Sequence, residues 1–305
     1  MATKNAENAH FWQVDHRVKH LAKLDQALVL PSPEAWERFL WSRKYFATKP
    51  LEGYFVWIRE KPLCPLFTCV NILGKNITQK LANLVVIEEG LQIVLHGFCG
   101  SLNPHTQGGH QTAGKIILKK GVNLKYTHVH AWKGQDSVEP DYEFSLEEGV
   151  KLDYTYEVKV APKILRMQNT FICQQGSSVR FNVLADCQDT DFTIRDRLIL
   201  RGEDSHGLSN LRFVARKNST IRAISQLVAT ARATGHVDCQ SLMLAKNSRV
   251  SLLPEIVSGH KDAELTHEAA IGKVSDEQIN YLRTRGLSLD QALDLIVTGF
   301  LKLSS

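Results

Sequence analysis

After Gly53 the chain alternates between apolar and polar residues in short stretches, which are separated by charged or glycine-containing turns. The clearest stretch is GVKLDYTYEVKV, from Gly149 to Val160. One set of alternating positions is apolar throughout and comprises Val150, Leu152, Tyr154, Tyr156, Val158 and Val160. Because successive side chains of a β-strand point to opposite faces, this alternation predicts half-buried strands.

These strands recur with a common pattern of strand, two polar residues, glycine and strand. Four segments share it: LVVIEEGLQIVLH, KIILKKGVNLKYTHVH, EFSLEEGVKLDYTYEVKV and TFICQQGSSVRFNV. Their glycines are spaced by 31, 28 and 27 residues, at Gly90, Gly121, Gly149 and Gly176. Two later segments place Asn218 and Asn247 at the same point, and asparagine also tolerates the left-handed conformation that glycine supplies.

A period of about 30 residues without an intervening helix favours a β-solenoid, in which each coil buries its inner face on the next coil. A β-sandwich would also contain many short strands, but it would not require a fixed period. We therefore predict a mainly β protein with a parallel β-helix over residues 53–272.

Both ends of the chain are predicted to be helical. Residues 7–48 have helical character, with Ser32 as a cap and Pro33 in the first turn, which defines an N-terminal helical region over residues 1–52. After the solenoid, Ser275 and Gln278 form a capping box, and Gly286 ends that helix. A second amphipathic helix follows, so residues 273–305 are predicted to form a helical pair that caps the solenoid or binds a partner.

Composition narrows the class of protein. A net charge of +5 spread over 305 residues gives little support for nucleic-acid binding. The first twenty residues contain no apolar signal-peptide core, and no run of about 18 uncharged apolar residues predicts a membrane span. We therefore expect a cytoplasmic protein whose six cysteines are thiols. Cys64 and Cys69 have zinc-ligand spacing, but their apolar setting favours buried thiols.

Two near-matches to catalytic motifs fail. GHQTAGKI resembles a P-loop, but Ile116 replaces the magnesium-binding Ser or Thr and a strand follows where a helix is required. His267 and Glu268 resemble the start of a zinc-protease motif, but the second histidine would have to stand at Ile271. The sequence therefore predicts neither ATP hydrolysis by this chain nor a zinc protease.

Histidines and cysteines supply the remaining candidates. His105, His110, His128 and His130 are best explained as polar residues on turns and outer faces, although His128 and His130 share a strand face and leave a metal site open. Cys239 precedes His267 by 28 residues, close to one period. Stacked coils could therefore bring Cys239, His267 and Glu268 together, and thiolate with imidazole suits iron or iron–sulfur species.

The segment LTHEAAIGKVSDEQINYLRTRGLSLDQALDLIVTGF resembles the C-terminal signature of the SufB/SufD family of iron–sulfur cluster assembly scaffolds. CQSLMLAKNSRVSLLPEI is similar to the coil that precedes this signature in the family. Cys99, His110 and Trp132 match a Cys, a His and a Trp of another family segment. The resemblance covers roughly residues 55–305, whereas the N-terminal part matches poorly.

The resemblance implies a right-handed parallel β-helix that assembles iron–sulfur clusters together with an ABC-type ATPase, SufC. It implies that Cys239, His267 and Glu268 hold the nascent cluster at a subunit interface. It also implies that Cys99 accepts persulfide sulfur, which then passes along the interior, and His110 would be the proton acceptor for Cys99. Cys239 and Glu268 favour a SufB-like over a SufD-like chain, whereas Thr266 stands where SufB commonly has Glu.

The expected partners follow from the same resemblance. We expect a homodimer, a sulfur donor such as a cysteine desulfurase, and an ATPase docked on the helical pair through an apolar face of Ile279, Leu282, Ala292, Ile296 and Phe300. The iron–sulfur cluster would be transient, and flavin binding is left open. The alternatives are a SufD-like structural partner without a cluster and, more remotely, a carbohydrate-acting β-helix enzyme, for which only scattered acids such as Asp141 and Glu143 are available.

Overall fold

In this computed structural model, residues 10–302 apart from 104 and 134 are described, and 58% of the chain is strand. Strands pair in register with the strand two places along the chain, so the chain winds into about 8 stacked coils. Each coil contributes one strand to each of two sheets. The predicted mainly β solenoid of parallel coils is therefore confirmed.

The first sheet has ten strands. They are β1 (Phe11–Val14), β2 (Arg17–Leu21), β5 (Leu66–Ile72), β7 (Gln92–Ser101), β9 (Asn123–Ala131), β11 (Lys151–Val160), β13 (Ser178–Cys187), β15 (Ser205–Ala215), β17 (Ala233–Met243) and β19 (Glu264–Lys273). From β1 through β5 to β19 the neighbouring strands are parallel, and β2 pairs antiparallel with β1 at one edge.

The second sheet has nine strands and faces the first across the interior. They are β3 (Ala27–Pro31), β4 (Tyr54–Ile58), β6 (Thr78–Ile87), β8 (Gly109–Leu118), β10 (Ser137–Leu146), β12 (Ile164–Cys173), β14 (Asp191–Leu200), β16 (Thr220–Ala229) and β18 (Arg249–Ser258). Only the β3–β4 pair of this sheet is antiparallel.

The predicted N-terminal helical region is largely wrong. Residues 11–31 form three strands, and a helix, α1 (Ser32–Arg38), follows with a 3₁₀ helix at Leu40–Tyr45. Ser32 is the first residue of α1 instead of its cap, and its hydroxyl donates to the carbonyl oxygen of Ala82. The N-terminal segment therefore extends the first sheet by the parallel β1 and the antiparallel β2, and the second sheet by the antiparallel β3. Residues 7–9 of the predicted helix lie outside the described part.

The predicted turns are confirmed at most positions. Gly90, Gly121, Gly149 and Gly176 all have φ between 63° and 72°, and Asn218 has φ 56°. The amide of each glycine donates to a carbonyl oxygen of the next coil, at Lys120, Glu148, Gln175 and Glu203. Asn247 does not take the left-handed conformation; its side-chain amide instead bonds to the Asn218 side chain below it.

Aromatic side chains stack through the middle coils. Tyr126, Tyr154 and Phe181 occupy one register column of the first sheet, with ring centroids 4.9 Å and 5.4 Å apart. Phe144 and Phe171 stack in the second sheet at 4.7 Å. All five side chains are buried, so the apolar faces predicted from the alternation form one continuous core.

The C-terminal helical pair is confirmed as α2 (Asp276–Thr284) and α3 (Leu289–Leu301). Ser275 with Gln278 and Ser288 with Gln291 form capping boxes, and Gly286 adopts φ 91° between the helices. α3 packs on the outside of β15, where Arg216 pairs with both Asp186 and Asp294. Within the described part of the chain, no helix is long and apolar enough to cross a membrane.

Gly114, the second glycine of the P-loop look-alike, has a packing role. It lies within β8, and a Cβ added there would come within 2.1 Å of Tyr142 Cε1. We expect Gly114→Ala to lower the free energy of unfolding by about 1–3 kcal/mol, because the extra methyl overpacks the core. Urea or thermal unfolding measures this change.

Gly299 supplies the matched control. It lies in α3 with nothing within 4 Å of an added Cβ and an ordinary φ. Gly299→Ala should leave stability unchanged or raise it by up to about 1 kcal/mol, because alanine favours helix. Equal stability of Gly114→Ala and wild type would contradict the packing role of Gly114.

Candidate functional site

The inner face of the second and third coils carries a compact group of one cysteine and two histidines. Cys99 lies on β7, and His128 and His130 lie on the neighbouring β9. The three residues are buried, at 7%, 2% and 1% exposure. Cys99 Sγ and one nitrogen of each imidazole all lie within 4.8 Å of one another, and no other such group of three or more occurs in the described part of the chain.

Cys99 and His128 are in direct contact. Cys99 Sγ lies 3.3 Å from His128 Nε2, and His128 Nδ1 lies 3.3 Å from Tyr126 Oη. Gly97, the register partner of His128, makes room for this ring, since a Cβ there would lie 3.0 Å from His128 Cδ2. A glycine in the middle of β7 is therefore what allows the imidazole to lie beside the thiol.

Burial determines the resting charge of this pair. It lowers the pKa of His128 to about 3 and raises the pKa of the Cys99 thiol, to which the neighbouring Cys69 adds. At neutral pH the pair is therefore a thiol beside a neutral imidazole. The thiol can donate to Nε2 while Nδ1–H donates to the Tyr126 oxygen, so His128 is placed to take the proton when Cys99 reacts.

His130 is held in the opposite tautomer. Trp132 Nε1 donates to His130 Nδ1 at 3.1 Å, and Tyr156 Oη lies 2.5 Å from the same nitrogen. Because an indole N–H can only donate, Nδ1 must carry a lone pair, and the proton of the neutral ring is on Nε2. Burial lowers the pKa of His130 well below its usual value, so the ring stays neutral. Its Nε2 is buried without a hydrogen-bond partner.

The structure places His128 and not His110 against Cys99. His110 lies on β8 of the opposite sheet, with Nδ1 2.8 Å from Gln79 Oε1 and Nε2 3.0 Å from Thr112 Oγ1. Both of its nitrogens are thus engaged, and burial lowers its pKa to about 3. The predicted role of His110 as the proton acceptor for Cys99 is therefore wrong in this geometry.

Cys99, His128 and His130 have the donor types of a zinc or iron site. Ligation by His130 Nε2 would require a lone pair on that nitrogen and a proton on Nδ1. Trp132, however, already donates to Nδ1. The partners of His130 thus favour an N–H donor over a metal ligand, because the group bonded to one ring nitrogen sets the state of the other.

A second polar group lies in the later coils, around Asp196 on the inner face of β14. Its Oδ2 accepts from Ser225 Oγ at 2.5 Å and from Ser209 Oγ at 3.4 Å, whereas Oδ1 has no partner. Asn169, the register partner of Asp196 one coil earlier, is 1% exposed and has no partner for either side-chain atom. Buried polar atoms of this kind are commonly bonded to internal water.

Cys239 belongs to this second group. It is fully buried on the inner face of β17. Burial raises the pKa of its thiol to about 12, and the nearby Asp196 carboxylate contributes to the shift. Burial also raises the pKa of Asp196 to about 7. The interior therefore contains a thiol and a carboxyl group whose pKa values are both raised by burial, and the Arg212 guanidinium offsets part of this rise for Cys239.

The structure only partly brings together Cys239, His267 and Glu268. Cys239 pairs in register with Ala269, two residues beyond His267. His267 pairs with the inward-facing Val237 and so shares the inner face with Cys239, but Glu268 pairs with Asp238 and lies on the outer face. The three residues do not form a single group of converging ligand atoms within one chain. Thr266 Oγ1 lies 2.8 Å from His236 Nδ1.

β18 and β19 form the last coil, and no described segment covers them. The inward-facing Leu265 packs on the core, but Ile271 is 48% exposed and His267 is exposed. Leu253 and Val257 on β18 are also about half exposed, at 48% and 47%. His267 therefore lies at an open, partly apolar end of the solenoid.

The predicted ATPase-docking face is partly buried within the chain. Ala292 is completely buried, and Ile279, Leu282, Ile296 and Phe300 are half-buried. The apolar side chains that the helical pair exposes most are Tyr281, Leu289 and Leu295, at 60%, 48% and 54%. Any partner of this pair would meet those three residues first.

Cys64 and Cys69 do not share a site. Cys64 is exposed, with Sγ 3.8 Å from His10 Nε2, so its predicted burial is wrong. Cys69 is buried on the outside of the first sheet against Trp12 and Phe98. Its thiol donates to Asn71 Oδ1 at 3.1 Å, and burial raises its pKa to about 12.

Sequence reasoning placed His128 and His130 on outer faces, which is wrong, and did not single out Asp196, although a signal existed for all three residues. His128 and His130 occupy the same alternating positions as Leu124, Tyr126 and Trp132, which form the apolar face of their strand. This alternation assigns both histidines to the interior. Asp196 likewise lies on the same strand face as Phe192, Ile194 and Leu198. A polar residue on an otherwise apolar strand face was the available signal in each case.

Comparisons with known proteins agree on one family. A model of the SUF system FeS cluster assembly SufBD core domain matches residues 71–300. An iron–sulfur cluster assembly SufBD family protein of Archaeoglobus fulgidus is 28% identical over 322 residues, covering 98% of this chain and 86% of that protein. Proteins of the same description from Methanothermobacter thermautotrophicus and Methanocaldococcus jannaschii are 29% and 26% identical, over 85% and 78% of this chain and 66% and 76% of their own lengths.

The raised pKa of Asp196 predicts a pH-dependent stability. Between pH 4, near the pKa of an unfolded Asp, and about pH 7, the folded state holds the extra proton, so stability falls as pH rises through this range. Asp196→Asn removes the ionisation. We expect it to stabilise the protein at pH 8 by on the order of 2–4 kcal/mol and to have little effect at pH 4.

Thermal unfolding of both proteins at pH 4, 6 and 8 measures this difference. Asp262→Asn changes an exposed carboxylate and controls for net charge. A stability difference between Asp196→Asn and wild type that stays constant across the three pH values would contradict the buried ionisation.

Proposed function

This chain belongs to the SufBD family of iron–sulfur cluster assembly proteins, and we propose that it is a scaffold on which a nascent cluster is built. Besides the family assignment, one structural observation supports the scaffold role. Two buried thiols, Cys99 and Cys239, face the same solenoid interior, and each has polar neighbours that an apolar core would not require. The chain itself performs no catalysis in this proposal.

Cys99 would receive the sulfur. A persulfide donor presents R–S–SH, the Cys99 proton passes to His128 Nε2, and the thiolate attacks the outer sulfur. The donor S–S bond breaks, a new S–S bond forms on Cys99, and the donor leaves as a thiolate that takes up a proton. The geometry supports this role for His128, because its Nε2 lies 3.3 Å from Sγ and, in the neutral ring, carries the lone pair that receives the proton.

The interior would connect the two cysteines. Cys239 lies in the register column of His128, through Tyr156, Val183 and Leu211, so it stands four coils beyond His128 and five beyond Cys99. At the spacing of paired strands the two cysteines are roughly 24 Å apart. Asn169 and Asp196 line the opposite sheet in between and carry polar atoms without partners. Sulfur passing along this interior would meet those polar groups.

Cluster assembly would occur at the open end of the solenoid. His267 shares the inner face with Cys239 and is exposed in the last coil. A second copy packed on this end would cover the exposed Ile271 and bring two sets of Cys239 and His267 towards a two-fold axis. Glu268 lies on the outer face, so we propose it as a ligand only across such a homodimer interface.

ATP would be handled by a separate ABC-type ATPase of the SufC kind. The P-loop look-alike lies within β8, where a strand replaces the phosphate-binding loop and helix. We propose that the ATPase docks on the helical pair through Tyr281, Leu289 and Leu295, with the half-buried residues Ile279 and Leu282 behind them. A cytoplasmic location and a cysteine desulfurase as sulfur donor complete the proposal.

A SufD-like structural partner is the second candidate. The complete burial of Cys239 and the separation of Glu268 from it favour this alternative. The carbohydrate-acting alternative finds no support in the family to which the chain belongs.

Substitution of Cys239 separates scaffold from structural partner. The chain is co-purified with its ATPase and reconstituted anaerobically with ferrous iron and sulfide. We expect Cys239→Ser to lose most of the bound iron and sulfide, because a hydroxyl is a poor replacement for a thiolate ligand. Absorbance and iron and sulfide assays measure the loss.

Cys187→Ser is the matched control, since Cys187 is also a fully buried cysteine of the interior. It should retain the iron and sulfide content of wild type. Unchanged content in Cys239→Ser would reject the scaffold role and favour the SufD-like alternative.

The helical pair supplies a test of the ATPase partner. Leu295→Asp places a charge on an exposed apolar position of α3 and should weaken co-purification with the ATPase about tenfold or more, because desolvating a charge at an interface is unfavourable. Leu63→Asp changes an equally apolar side chain that is 93% exposed at a distant position in the chain. Equal ATPase recovery for both variants would place the docking surface elsewhere.

A further inference from the structure

We propose that His130 is a positioning residue that donates its Nε2–H to the outer sulfur of a persulfide on Cys99. The inference rests on the proposed function, because it takes Cys99 as the sulfur acceptor. It gives a role to His130, a residue to which neither the sequence resemblance nor the family comparison assigns one.

The hydrogen bonds of His130 determine which of its ring nitrogens carries the proton. Trp132 and Tyr156 both approach Nδ1, at 3.1 Å and 2.5 Å. The indole N–H fixes Nδ1 as an acceptor, so the neutral ring presents N–H at Nε2. This donor is buried and has no acceptor. A buried donor without a partner is unfavourable, so Nε2–H is available to an acceptor that enters the site.

His130 lies beside Cys99 on the neighbouring strand. The two residues are register partners on adjacent strands, and both face the interior. A ring nitrogen of each histidine lies within 4.8 Å of Cys99 Sγ. A persulfide extends the side chain by one S–S bond of about 2 Å, which is long enough to bring the outer sulfur between Sγ and the imidazoles.

Charge explains why a donor is needed there. The persulfide is anionic in its reactive form, and the surrounding interior is apolar and aromatic. An anion in such a setting is stabilised by a charge-assisted hydrogen bond. His128 has the separate task of holding the Cys99 proton, and it contacts Sγ directly. The two histidines thus divide proton acceptance and sulfur binding between them.

A metal ion is the competing occupant of the same three residues. It would need lone pairs on both imidazoles and a thiolate. His130 could supply Nε2 only if Nδ1 carried the proton, and that proton would then point at the Trp132 N–H. The hydrogen bonds of His130 therefore favour the persulfide, and metal binding becomes an outcome of the test.

The test uses the full chain and sodium tetrasulfide as the sulfur source. The Cys99 thiolate attacks one sulfur of the tetrasulfide, a Cys99–S bond forms, an S–S bond breaks, and trisulfide leaves with the electron pair. The Cys99 proton passes to His128. After removal of excess reagent, peptide mass spectrometry measures the added sulfur on Cys99, and its loss to cyanide measures the lifetime of the persulfide.

Three variants separate positioning from packing. We expect His130→Leu to shorten the persulfide lifetime by about tenfold or more, because it removes the donor. His130→Gln keeps an N–H donor and should restore most of the lifetime. His110→Gln changes another buried histidine, whose nitrogens are already paired, and should behave as wild type. Thermal unfolding identifies any variant that fails to fold.

The outcomes are distinguishable. A folded His130→Leu protein with the wild-type persulfide lifetime would overturn the role of His130 and leave Cys99 as acceptor. Wild-type protein that gains no sulfur on Cys99 would overturn both this proposal and the acceptor step of the proposed function. Stoichiometric cobalt(II) binding with thiolate absorbance, lost in both His130 variants, would replace the persulfide with a metal ion.

Discussion

Each side chain of a solenoid strand faces either the interior or the outside, and the register between neighbouring coils determines which side chains it contacts. Here the strands pair residue for residue along nearly their whole length, so each inward side chain contacts its register partners above and below. The aromatic columns of Tyr126, Tyr154 and Phe181 follow from this constraint. So do the polar groups around Cys99 and Asp196, because an inward-facing polar residue in a coil covered on both sides is shielded from solvent.

The same constraint makes the interior chemically restrained. Burial holds Cys99 and Cys239 as thiols and His128 and His130 as neutral imidazoles. None of these groups is strongly reactive by itself; reaction depends on a neighbour that can exchange a proton or donate a hydrogen bond at short range. The geometry supplies such a neighbour for Cys99 in His128, whereas Cys239 is influenced by the charges of Asp196, Asp238 and Arg212.

The alternation of apolar residues and the recurring turn glycines were sufficient to predict the solenoid, because both are local consequences of strand and turn geometry. The N-terminal strands were missed because Phe11–Val14 and Ala27–Pro31 are too short to display a period. The grouping of Cys239 with Glu268 failed for a different reason. His267 and Glu268 are successive residues of one strand, so only one of them can share the inner face with Cys239, whatever the register. The alternation along β9 is sufficient to place His128 in the interior. Its contact with Cys99, however, depends on the register between β7 and β9, which the sequence does not display.

The last coil has a consequence for the behaviour of the isolated chain. The outer edges of β18 and β19 have no pairing strand in the described chain, and half-exposed Leu253, Val257 and Ile271 lie on the same coil. Unpaired edges with apolar side chains recruit other strands and are sites of aggregation. A chain whose last coil stays uncovered would therefore be prone to edge-to-edge association, and this end sets how concentrated the isolated chain can be before it aggregates.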